Sequence, residues 1–253
     1  MKSEFKILSV EKKKNNYLIT TDDKEFEADE ETIIKYYIFK DKVFTKTEFN
    51  KILEEIEINK YFNKSLKFLS YKSRSVSEII QYLKDVNNKD IIIERLIKLG
   101  YLNDEIYSKN MFEYCLRNNK GPAYLKNKLL EKGISKELIS KTIYMYDYQS
   151  EKEVIENIVN KLANRESSKP VKALKLSILS KLHRDGFNLD IASLVISKVN
   201  FIDNSDELLK KDYQKQIQKL QDKDIDAYTK KQKIITYLLN KGYDYKKIKD
   251  IVE

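Results

Sequence analysis

Four stretches of this chain close on the same local pattern, and that recurrence constrains the fold more than any other feature. They are Tyr82-Leu-Lys-Asp-Val-Asn-Asn88, Leu129-Leu-Glu-Lys-Gly-Ile-Ser135, Leu182-His-Arg-Asp-Gly-Phe-Asn188 and Leu238-Leu-Asn-Lys-Gly-Tyr-Asp244. Each ends a segment rich in Leu and Ile. Three place Gly where a helix C-terminus takes a left-handed residue, and the first has Val86-Asn87 instead. An apolar residue then leads to Ser, Asn or Asp, whose short side chain accepts from the free amides of a new helix. Val86, Gly133, Gly186 and Gly242 are the matched positions, with separations of 47, 53 and 56 residues. Units of this size cannot bury an apolar face alone, so the pattern predicts tandem helical modules whose neighbours share a core.

A further helix precedes each closure. Ser75-Val-Ser-Glu78 and Thr229-Lys-Lys-Gln232 have the spacing of capping boxes. Gly121-Pro122 and Lys169-Pro170 place Pro at a helix start, where its missing amide does no harm. The middle and third helices of a unit, joined by a short turn, have the form of a helix-turn-helix. Residues 1–60 differ. Phe5, Ile7, Leu8 and Val10 form one apolar run, Tyr17-Leu-Ile-Thr-Thr21 a second, and Phe26 with Ala28 a third, which predicts two or three short strands. A short helix is expected from about Glu30 to Ile38, with Ile33, Ile34 and Tyr37 inward. Thr45-Lys-Thr-Glu48 is a capping box that opens a long helix, reaching about Ser70 and carrying Phe49, Leu53, Ile56, Phe62, Leu66 and Leu69 at helical spacing. The expected fold is mainly α: tandem three-helix repeats forming an elongated curved array, with a small N-terminal β-containing segment. The expected boundaries are 1–60 for the strand and helix segment, then 61–104, 105–150, 151–204 and 205–253 for four helical repeats.

Composition supports helices. Two Pro and five Gly in 253 residues are too few for the many turns of an all-β sandwich. The net charge is +9, unevenly spread: residues 1–60 hold 12 Lys against 14 Asp and Glu, so the rest carries +11. A basic body favours a polyanion such as nucleic acid, because each cation placed at a phosphate releases a counterion. Simple solvation by Lys accounts for the charge equally well. The single cysteine, Cys115, and single histidine, His183, argue against a disulfide and a His- or Cys-based metal site. No signal-peptide pattern opens the chain and no window has the length of a membrane helix, so the cytoplasm is the expected compartment.

No P-loop, dinucleotide fingerprint or nucleophile–base pair is present, so neither a cofactor nor a catalytic residue is expected. The candidate site is cationic instead. Lys72 and Arg74 precede the Ser75 cap; Arg117 and Lys120 precede Pro122, with Lys126, Lys128 and Lys132 beyond it; Arg165, Lys169, Lys172 and Lys175 bracket Pro170, and Arg184 closes that helix. Free amides and a positive dipole end at a helix start suit phosphate, and the same junction recurs once per unit. For Lys126, Lys128, Lys132, Lys172 and Lys175 a solvated helix face is an equal reading. Arg74 and Arg117 stand out as Arg in a Lys-dominated chain, with the planar fork that fits phosphate and carboxylate. Of the 18 Tyr, Tyr71, Tyr101, Tyr107 and Tyr124 are candidates for stacking on bases or a protein, although rings at helical spacing usually pack inward; Tyr71 is the exception, beside Lys72 and Arg74. Cys115, among Met111, Phe112 and Leu116, is expected to be buried and His183 to be exposed, and Asp104 with Glu105 to complement a helix start.

Two stretches resemble the RecX family. Leu66-Lys-Phe-Leu-Ser-Tyr-Lys-Ser-Arg-Ser-Val-Ser-Glu-Ile-Ile-Gln-Tyr-Leu83 is similar to the family's helix ending in Leu-Ser-Tyr, followed by a basic residue, Arg, Ser and Glu. Leu99-Gly-Tyr-Leu-Asn-Asp-Glu-Ile-Tyr107, leading through Arg117 and Lys120-Gly-Pro122 to Lys132-Gly-Ile134, is similar to its second signature. The clear likeness spans residues 61–146. Lys72 stands where the family usually has Arg, Ser108 where it has Ala, and Asn103 where it has Asp. The resemblance implies a monomeric, non-enzymatic regulator that binds the RecA filament on single-stranded DNA and modulates, usually inhibits, RecA ATPase, recombination and the SOS response. Two other readings stay open on the residues alone: a helix-turn-helix protein that binds duplex DNA without RecA, and a scaffold that binds only protein.

Overall fold

In the computed structural model, which describes residues 3–14 and 16–252, alternation along the first apolar run makes a strand. Strands β1 (Glu4–Lys12), β2 (Tyr17–Thr21) and β3 (Glu25–Ala28) are followed by helix α1 (Glu30–Tyr36) and a fourth strand, β4 (Val43–Thr45). The antiparallel sheet has the order β3-β2-β1-β4. A register shift between Ile7 and Ser9 breaks the alternation and leaves Leu8 exposed. Strand β4 carries no signal in the sequence, since three residues are too few for alternation to register. Phe5, Ile7, Ile19, Ala28 and Phe44 bury one sheet face against Phe49 and Ile52 of helix α2 (Lys46–Tyr71). The Phe5 and Phe49 rings stack at 4.3 Å.

Helix α1 corrects one expectation. Asp29 caps it, accepting from Thr32 N at 2.7 Å, but it stops at Tyr36 because Tyr37 turns left-handed (φ 51°) and donates back to Ile34 O. Ile34 and Tyr37, expected inward, are therefore 66% and 74% exposed, and Ile33 alone of the three packs on the core.

The Thr45–Glu48 capping box opens α2 as expected. This helix runs without interruption past residue 60 and serves two cores. Its second half joins α3 (Val76–Tyr82) and α4 (Lys89–Lys98) around Phe62, Ile79, Leu83, Ile92 and Leu96. Buried Asn59 ties the two cores: its side-chain amide donates to Asp29 and Thr32, and its carbonyl accepts from Arg95 at 2.8 Å. Helices α5 (Asp104–Arg117), α6 (Pro122–Glu131), α7 (Lys136–Tyr144), α8 (Tyr148–Ala163), α9 (Val171–Arg184), α10 (Leu189–Lys198), α11 (Ser205–Gln221), α12 (Ala227–Asn240) and α13 (Tyr245–Val252) complete the chain. The described structure forms two compact units, Met1–Tyr107 with Lys132–Ile134, and Ser108–Glu131 with Ser135–Glu253.

Gly133, Gly186 and Gly242 are left-handed, as the repeated closures predict. Two helix starts differ in detail. Pro170 is the N-cap of α9, one residue before the helix. Thr229 is not a cap: Asp226 caps α12 and accepts from Thr229 N at 2.8 Å, because its carboxylate reaches that amide from three residues earlier. No helix among the described residues is long and apolar enough to cross a membrane.

Candidate nucleic-acid interface

The turns that close α6, α9 and α12 each dock onto the start of the preceding middle helix. In the first unit, Ser75 Oγ donates to the Lys132 carbonyl at 2.7 Å, and Lys132 Nζ lies 2.7 Å from Glu78 Oε1. In the second, Gly121 N donates to Asp185 O at 2.7 Å, Ala123 N to Gly186 O at 3.0 Å, and Lys120 Nζ pairs with Asp185 Oδ1 at 2.6 Å. The approach there is so close that a Cβ on Gly121 would lie 2.3 Å from Gly186 O. The third instance sets Gly242 against Ala173 near the start of α9.

This packing takes up some of the amides that these helix starts offer. Val76 N donates to Asp104 Oδ1 at 2.9 Å, Val171 N donates to Ser205 Oγ at 3.1 Å, and Pro122 has no amide to offer. Ser75 takes Glu78 N at 3.2 Å, and the Glu78 side chain reaches back to Ser75 N at 3.1 Å, closing the box. Asp104 thus serves the start of α3, while Asn103 caps its own helix through Glu105 N and Ile106 N.

The candidate cations divide by what already holds them. Arg74 is half-buried: its guanidinium lies 4.0 Å from the Phe68 ring centroid, and Phe68 stacks on Tyr82 at 4.3 Å. Its Nη1 is 3.5 Å from Glu78 Oε1, and its Nε is buried without a partner. Burial alone would push the Glu78 carboxyl up, but Lys132, the Ser75 amide and Arg74 together hold it below the ordinary value. Lys120 is raised by its hydrogen bond to Asp185; Asp185 would be pushed up by burial, yet Lys120 and Lys181 outweigh that and hold it down. Lys128 pairs with Glu131 at 2.7 Å, and both Lys120 and Lys128 flank the Tyr124 ring, at 5.2 and 5.8 Å. Lys169 Nζ donates to Ser177 Oγ at 3.3 Å. Arg74 and Lys120 thus belong to the junctions, whereas the contacts of Lys128 and Lys169 are local to their own helices. In contrast Lys72, Arg117, Lys126, Lys172 and Arg184 are exposed and make no ion pair among the described residues. They are the cations left available to an outside anion.

Charge follows the same division. The first unit's segments contain 21 Lys and Arg against 20 Asp and Glu, the second's 28 against 20. The excess of +8 therefore belongs to the second unit. Tyr71 and Tyr101 are exposed, Tyr107 is buried and Tyr124 half-buried. Tyr144 and Tyr148, at 89% and 55% exposure, carry no distinguishing signal in the sequence, since only the placement of α7 and α8 turns them outward. Cys115 is buried and His183 exposed, as expected. No group of three or more His, Cys, Asp or Glu among the described residues is placed to hold a metal ion.

The regulatory protein RecX of Streptococcus agalactiae serotype III (strain NEM316) is 32% identical over 254 residues, covering 96% of this chain and 97% of the relative. The chain belongs to the RecX family. RecX of Listeria welshimeri serovar 6b is also 32% identical, over 93% of this chain and 90% of the relative. No protein-family model matches the chain. Among solved structures, a regulatory protein RecX shares the fold with a TM-score of 0.60 at 21% identity, covering 77% of this chain and 100% of that one. RecX from Lactobacillus salivarius gives 0.50 at 28% identity, covering 56% of this chain and 96% of that one. RecX membership thus spans almost the whole length, well beyond residues 61–146 where the motifs resemble the family most clearly.

Proposed function

We propose that this protein binds the RecA filament on single-stranded DNA and restrains its ATPase, and with it recombination and SOS induction. The observation that carries this reading is RecX identity over 96% of the chain. Support comes from the second unit, where an excess of +8 accompanies exposed cations free of internal partners. In this reading Arg117, Lys126, Lys172 and Arg184 meet DNA phosphates or acidic filament surface, with Lys72 doing so from the first unit. Arg74 and Lys120 hold the junctions that carry them. The protein acts in the cytoplasm as a monomer, uses no cofactor and catalyses no reaction; its effect comes from bridging filament subunits.

The test is to add the full chain to RecA on single-stranded DNA and follow ATP hydrolysis and filament length over a range of concentrations. The expected result is a dose-dependent fall in both. No change in either, at concentrations where the two proteins co-sediment or above, overturns the proposal. Charge reversal at Arg117 and Lys126 separates the alternatives. Unchanged, salt-independent filament binding would point to a protein-only scaffold, and selective binding of one duplex sequence without RecA to a helix-turn-helix protein.

A further inference from the structure

The N-terminal sheet ends at β3 on one side, and no strand among the described residues pairs with that edge. The β2–β3 hairpin closes with Thr21 N donating to Lys24 O at 2.9 Å, and the register runs Thr20↔Glu25, Ile19↔Phe26, Leu18↔Glu27. In an antiparallel pair, bonded and non-bonded positions alternate, so the backbone N–H and C=O of Glu25 and Glu27 point away from β2, toward the open edge. Beside that edge lies a groove of about 780 Å³ between β3 and α2. Phe26 and Ile56 supply apolar wall, and Glu27, Asp29, Lys60 and Asn63 polar groups.

Charge selects what fits. Seven of the ten residues from Asp22 to Glu31 are acidic, and Lys24 alone is basic. The carboxylates at the edge are oriented: Thr20 Oγ1 donates to Glu25 Oε1 at 3.1 Å and Asn16 Nδ2 to Glu27 Oε2 at 3.2 Å, leaving further acceptor positions on each. A second copy pairing its own β3 here would set Glu against Glu, and like charges opposite one another destabilise a ladder. A nucleic acid meets the same repulsion.

We propose that β3 and α2 form a docking groove for an extended, lysine- or arginine-rich segment of another protein, which adds to the sheet as a fifth strand. Main-chain bonds to Glu25 and Glu27 supply the pairing, and the acidic edge supplies selection for a basic partner. At about 3.4 Å per residue, three or four residues of the incoming strand match the length of β3.

The experiment measures fluorescence anisotropy of a labelled synthetic peptide alternating Lys with Val and Thr, titrated with the full chain. Saturable binding is expected. It should weaken about tenfold or more for the Glu25→Lys, Glu27→Lys double variant, whose exposed side chains leave the sheet intact by circular dichroism, since both attractive charges at the edge become repulsive. The same peptide with alternate amides N-methylated keeps its charge but loses strand pairing, and should weaken comparably. Absence of saturable binding, equal affinity of the N-methylated peptide, or unchanged binding by the double variant each overturns the proposal.

Discussion

Substitution at the Gly121–Gly186 contact tests the docking of closing turns on helix starts, because the two sides can be perturbed for different physical reasons. Gly186 has φ +88°, and a Cβ added there would meet Tyr124 N at 2.3 Å. Gly186→Ala therefore combines a left-handed backbone strain of about 1–2 kcal/mol with an overpacking term of about 1–3 kcal/mol. The obstructing atom is backbone, so it cannot swing aside. Gly100→Ala isolates the first term, since Gly100 has φ +77° and nothing within 4 Å of its added Cβ. Gly121→Ala isolates the second, with no positive φ and a Cβ 2.3 Å from Gly186 O. The expected losses are about 1–2 kcal/mol at Gly100, 1–3 at Gly121 and 2–5 at Gly186. Hydrogen exchange read by mass spectrometry gives the local effect: amides at 121–125 and 182–188 should lose protection by about tenfold per 1.4 kcal/mol in the Gly121 and Gly186 variants. In the Gly100 variant those same amides should keep theirs. The double variant should be markedly less destabilised than the sum of the singles, as both open the same contact. If Gly186→Ala costs no more than Gly100→Ala, or if the two interface substitutions add fully, the turn does not dock where the geometry puts it.

Three further outcomes follow from buried and half-buried groups. Burial raises the Glu151 carboxyl, only partly offset by the hydrogen bond from Asn188 N, so the folded state favours the protonated form relative to the unfolded one. The contribution of Glu151 should rise as pH falls through the range just above the ordinary glutamate value, so Glu151→Gln should be more stable than the parent at pH 7 and the difference between the two should shrink toward pH 4; thermal melts of both from about pH 4 to 7 check this, and a destabilised variant at pH 7 would contradict it. Asp104→Ala leaves Val76 N without its acceptor, so stability should fall by about 1–2 kcal/mol in urea titration, with faster exchange at the start of α3. Burial pushes the Cys115 thiol up to about 11, so iodoacetamide at pH 8 should label it only in denaturant; rapid labelling of the folded protein would show that the site opens.

Much of the architecture was written locally. Helix starts at Thr45 and Ser75, and the left-handed closures at Gly133, Gly186 and Gly242, depend on residues three or four apart, whose chemistry is decided before any tertiary contact forms. The RecX-like series was likewise readable as an ordered set of residues. What those elements meet was not. Ser75 finds the Lys132 carbonyl 57 residues away and Lys120 finds Asp185 at 65, and no local spacing announces either. Tertiary packing therefore spent part of the amides that these helix starts offer on joints between modules. It also sorted cations that look alike in the chain: Arg74 is folded against Phe68 and Glu78, while Arg117 is left to solvent. The physical reason is common to both. A charge or an amide has the same capacity wherever it stands, but whether it is spent inside the molecule depends on which distant segment is brought within about 3 Å of it.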